Sequence, residues 1–199
     1  EGAAWLRQLI TKGISPQAVT NFAEPEALQS FKVGDAAFMR NWPYAWAELQ
    51  KSDSRVKGKV GVTTMVAKEP SLSTATLGSW GLALLKGSAH RDAAANAIRF
   101  LTSEKAQKQL FLENGYTPTI EALFHDPELV SINPTLPELA EALDHTKSRP
   151  ETPLYAQLSD VLQRNLSAVS TGEVDAKQGM ENATFTTKTI MRSAGDLNE

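Results

Sequence analysis

Residues 31 to 46 read FKVGDAAFMRNWPYAW, in which an apolar run from Ala36 to Met39 passes into three aromatics, Trp42, Tyr44 and Trp46, broken by one proline. The run is too short and too apolar for a helix, so a buried strand is expected there. Pro43 suits the first turn of a helix carrying Trp46 and Leu49, because its fixed φ and missing N–H cost nothing at that position. A strand that gives way to a helix is the repeating unit of α/β folds, and the loop between them is where such folds place ligand sites. Trp46 falls on the face of Leu49 and is assigned to packing. Trp42 and Tyr44 remain at the edge, either as rings presented to a ligand or as anchors of the loop. An apolar sugar face can lie against a flat ring while its hydroxyls bond at the edge, and Trp and Tyr each also carry a donor.

The rest of the chain supplies helices in quantity. Ala3 to Lys12 reads as a helix stopped by Gly13, and residues 24 to 33 as a short one with Pro25 in its first turn and Gly34 past its end. Val60 to Thr64 alternates around Gly61, and Trp80, Leu82 and Leu84 alternate up to Gly87; both are expected to be strands. Lys68 to Thr76 is a polar loop. From Ala89, alanines at helical spacing predict a helix packed tightly on a sheet, and Ser103 is placed to cap a second helix that Gly115 ends. Five prolines between Pro118 and Pro150 mark a surface excursion with short helical pieces around Ala122 and Leu139. Two longer helices follow, one lined by Leu154, Leu158, Val161, Leu162 and Val169, the other by Met180, Ala183, Thr187, Ile190 and Met191.

Composition narrows the functional classes. With 41% hydrophobic and 22% charged residues over 199 positions, the chain can bury a sizeable core. Its net charge of -3 lacks the basic excess that binding a phosphate backbone needs, so nucleic acid is not expected as a partner. The absence of cysteine excludes disulfides and thiolate metal sites. His90, His125 and His145 show no metal-ligand spacing and read as exposed, and no metal or cofactor is expected. No Walker loop, nucleophile elbow or dinucleotide fingerprint occurs. Glu138 and Glu141 sit at helical spacing among polar residues, as on a solvated face rather than in a glycosidase pair. The chain holds neither a signal peptide nor an apolar run of spanning length.

Phe31, Gly34, Ala36, Ala37, Phe38 and Met39, followed by Asn41, Trp42, Pro43 and Tyr44, resemble a segment of the extracellular solute-binding proteins of bacterial ABC importers, in the branch that binds maltose and trehalose. In that family the segment delivers a stacking ring to the sugar, which implies such a role for Tyr44 or Trp42; here Tyr44 stands where tryptophan is common and Trp42 where glycine is. Leu77 to Gly81 resembles the family's glycine-containing entry to a strand that crosses between lobes. There Gly78 allows close backbone approach, and Trp80 either presents an indole to the cleft or packs as a core tryptophan. Arg149-Pro150 resembles an Arg-Pro near the last crossing, where the guanidinium either forks onto two sugar hydroxyls or makes a surface salt bridge.

The resemblance implies the two-lobed α/β fold of type II periplasmic binding proteins, here its carboxy-terminal half only and helix-rich. Residues 1–76 would open the carboxy-terminal lobe, 77–145 would cross to the amino-terminal lobe, and 146–199 would return as the final helices. It further implies a protein that is not an enzyme: a substrate-binding component that captures a sugar in an aromatic-lined cleft and delivers it to permease subunits. Such a protein would be periplasmic or extracellular, monomeric when complete, and tied to the membrane through the permease or through a lipid anchor on a preceding segment. A glycan-acting enzyme and a helical interaction module are the rival readings.

Overall fold

The computed structural model describes residues 1–69 and 73–196. Among these, the elements in chain order are α1 (Gly2–Thr11), a 3-10 turn (Gln17–Asn21), α2 (Glu24–Lys32), α3 (Ala45–Leu49), β1 (Ala75–Thr76), α4 (Arg91–Leu101), α5 (Glu104–Asn114), a 3-10 turn (Glu121–His125), α6 (Pro127–Ile132), α7 (Leu136–Asp144), β2 (Thr146–Lys147), α8 (Tyr155–Thr171) and α9 (Ala176–Ser193). The chain divides into two compact units, Glu1–Ala27 with Pro150–Glu199, and Leu28–Arg149.

The first unit is helical. The Asp175 carboxylate accepts from the N–H groups of Lys177 and Gln178 and so starts α9. Val169 and Ala183 are buried, and a Cβ on Gly179 would lie 2.5 Å from Val169, so the glycine is what lets the two long helices approach. Arg7 of α1 donates to the Ser170 carbonyl at 2.6 Å, placing a cation at the carbonyl end of α8. Leu162, expected on the packed face of α8, is instead exposed.

In the second unit, Phe111, Leu123, Phe124, Leu129, Leu136 and Leu139 form the buried cluster, with Val62, Ile120, Val130 and Ala140 packed against it. The proline-rich stretch is therefore core and not a surface excursion. Its prolines open helices rather than interrupt packing: Pro127 and Pro137 occupy first-turn positions of α6 and α7, and Asp126 caps α6 by accepting from Glu128 and Leu129. Three short elements, the 3-10 turn, α6 and α7, can then each turn an apolar side chain inward. Ser103 caps α5, accepting from Ala106 at 3.3 Å, and Gly115 ends it with φ near +71°.

The expected strands at Ala36–Met39, Val60–Thr64 and Trp80–Leu84 do not form. A strand exists only through a neighbour's hydrogen bonds, and among the described residues the one paired sheet is β1 with β2, parallel, in the register Ala75↔Thr146 and Thr76↔Lys147. Ala36–Met39 is not buried either, since Phe38 is 93% exposed. Val60 to Thr64 keeps its alternation as a burial pattern, with Val62 turned to the core. Among the described residues no sheet lies under α4, which buries no residue and leaves Phe100 and Leu101 exposed. Residues 70–72 of the polar loop lie outside the described residues.

Candidate functional site

Trp42 sits at the turn that starts α3. Its N–H donates to the Asn41 side chain at 2.7 Å, and the carbonyls of Trp42 and Pro43 accept from Ala45 and Trp46. These bonds hold the loop and leave the indole 41% exposed. Ala45 and Leu49 are buried and fix α3 on its apolar side. Tyr44 is half-buried at the start of the same helix.

Gly78 and Arg149 arrive through the parallel pair. The β1–β2 register, continued two residues by the bond from Leu77 N–H to the Lys147 carbonyl at 2.9 Å, brings Gly78 alongside Arg149. The Thr74 hydroxyl donates to the His145 carbonyl at 2.6 Å and closes the other end of the ladder. At Gly78 a Cβ would lie 2.7 Å from Cη2 and 3.0 Å from Cζ3 of Trp42, and 3.7 Å from Nη2 of Arg149. Thus three of the five residues singled out in the sequence, Trp42, Gly78 and Arg149, meet at one point from segments more than thirty residues apart.

Trp80 stands two residues beyond this point and is fully exposed. Among the described residues, the alternation that suggests a packed strand has no partner strand to realise it. Phe38 is an exposed ring that sequence reading placed inside a strand; its own alternation between two alanines and a methionine gave no cue to the contrary.

Chemically, the site combines an exposed indole, a glycine against which that indole lies and a permanently charged planar fork. Such groups bind without supplying a nucleophile or a proton-transfer group. Among the described residues no cluster of His, Asp or Glu could hold a metal ion, and His90, His125 and His145 are exposed. Two clefts occur in the first unit, of about 240 Å³ beside Leu6, Ile10 and Ser167, and about 420 Å³ beside Arg7, Gly172 and Asp175. None of the five candidate residues lines either one.

Comparison with solved structures defines the class. Maltose-bound MalE3 of T. maritima superimposes with a TM-score of 0.86 at 33% identity, covering 94% of this chain and 48% of that one. The fold is that of the two-lobed periplasmic binding proteins, of which the chain covers part. The chain belongs to the bacterial extracellular solute-binding protein family, whose profile matches residues 1–108. A "Probable ABC transporter-binding protein" of Deinococcus radiodurans is 36% identical over 160 residues, 79% of this chain and 38% of the relative. A "Probable amino-acid ABC transporter periplasmic-binding protein" of Sinorhizobium fredii is 29% identical over 145 residues, 71% of this chain and 32% of the relative. The chain thus spans well under half the length of both curated relatives.

Proposed function

We propose that this chain forms one wall of the ligand cleft in the substrate-binding component of a bacterial ABC importer, and that the ligand is a sugar. The observation that carries this reading is the convergence of Trp42, Gly78 and Arg149, with Trp80 and Tyr44 close by in sequence. A ring that takes an apolar sugar face beside a fork that takes its hydroxyls is the combination a carbohydrate needs. The maltose carried by the T. maritima relative supports the sugar assignment. Residues 1–76 would begin the carboxy-terminal lobe, 77–145 would cross to the other, and 146–199 would return. Closure of the lobes would enclose the sugar and present it to the permease outside the cytoplasmic membrane.

The Sinorhizobium relative's name favours a second reading, an amino-acid ligand. Calorimetric titration of the full-length protein with maltose, trehalose, monosaccharides and free amino acids separates the two. A saccharide should saturate the protein at micromolar concentration and be recovered intact by chromatography. Saturation by amino acids alone, or cleavage of the saccharide, would overturn the proposal.

A further inference from the structure

We infer that Gly78 acts as a positioning residue for Trp42 rather than as a ligand contact, by keeping clear the space into which the indole packs; the link to binding rests on the sugar reading above. The space beside Gly78 is already taken. The two closest atoms to a Cβ there are Cη2 and Cζ3, both on the six-membered ring of Trp42, at 2.7 and 3.0 Å, and real Cβ contacts hardly ever fall below 3.0 Å. The colliding atoms are the far end of a side chain and not backbone, so any larger residue at position 78 turns the indole away instead of unfolding the chain. Arg149 Nη2 lies 3.7 Å from the same point, so a turned ring also changes what stands beside the guanidinium. The β1–β2 register fixes Gly78 from one side and the turn bonds around Trp42 fix the indole's root from the other. The ring's direction is therefore decided at position 78.

Full-length protein labelled with 5-fluorotryptophan tests this, since each tryptophan gives its own fluorine resonance and Trp42→Phe identifies that of Trp42. In Gly78→Ala the Trp42 resonance should move while the remaining tryptophan resonances and the melting temperature stay. Maltose affinity should fall about tenfold, equivalent to ~1.4 kcal/mol, and Gly78→Ala should cost nothing more in a Trp42→Ala background. An unmoved Trp42 resonance overturns the inference whether or not any sugar binds. So does a loss of affinity that persists in the Trp42→Ala background. Absence of maltose binding in every form counts against the sugar reading, with the resonance still deciding the role of Gly78. Should Gly78→Ala fail to fold, removing the ring in the Trp42→Ala/Gly78→Ala protein should restore folding, and its failure to do so also overturns the inference.

Discussion

Trp42 and Trp80 were marked by the sequence as rings beside turn residues, and their exposure follows from that chemistry: loop backbone held by its own polar groups leaves large side chains outside. Phe38 went the other way. It looked like one member of an apolar run, and what exposes it is the absence of a covering neighbour, which local composition does not encode. Arg149 owes its place to a partner segment seventy residues earlier in the chain, reached only through the β1–β2 register. If its guanidinium forks onto hydroxyls, a point ammonium cannot replace it. Arg149→Lys should therefore weaken maltose binding by roughly tenfold, an estimate for one charge-assisted bond of ~1.5 kcal/mol, with an unchanged melting temperature. Calorimetry that returned the wild-type affinity would assign Arg149 to the surface.

At the scale of elements, caps and stops were legible because each is a local backbone requirement. Ser103 and Gly115 bound α5 where the sequence placed them. The α6–α7 core was misread because prolines were taken as loop signals, whereas a proline in a helix's first turn is compatible with burial just beyond it. Beside the apolar cluster that Phe111 and Leu129 share, an ionic link joins α5 to α6: Lys108 meets Asp126 at 2.7 Å and Glu128 at 2.9 Å. The hydrogen bond from Lys108 holds the Asp126 carboxyl below its ordinary value, and the bond to Asp126 raises Lys108 above its own. A lowered carboxyl stabilises the fold above its unfolded value, near 3.9, and that contribution is lost as pH falls through the folded value. Asp126→Asn isolates the charge, since Asn caps a helix as well as Asp. The variant should melt below wild type near pH ~7, and the gap should close toward pH ~2. A gap independent of pH, followed by circular dichroism, would show that the ion pair contributes nothing.

For the whole molecule, the family and the helix-rich part of its fold were readable, because spaced motifs survive in sequence, while the three expected strands were not realised. Val60 to Thr64 keeps its alternation in the burial pattern, yet a strand needs a neighbour and the described residues provide a single two-residue pair. Phe100, Leu101, Leu82 and Leu85 are exposed as well, the apolar exposure that a contact surface requires. The central claim, that this chain presents stacking rings to a sugar, is tested most directly by titrating maltose into the full-length protein and its Trp42→Ala, Tyr44→Ala and Trp80→Ala variants. Loss of a stacking ring should cost on the order of 1–3 kcal/mol of binding for at least one of the three, with folding unchanged. Wild-type affinity in all three would contradict the account.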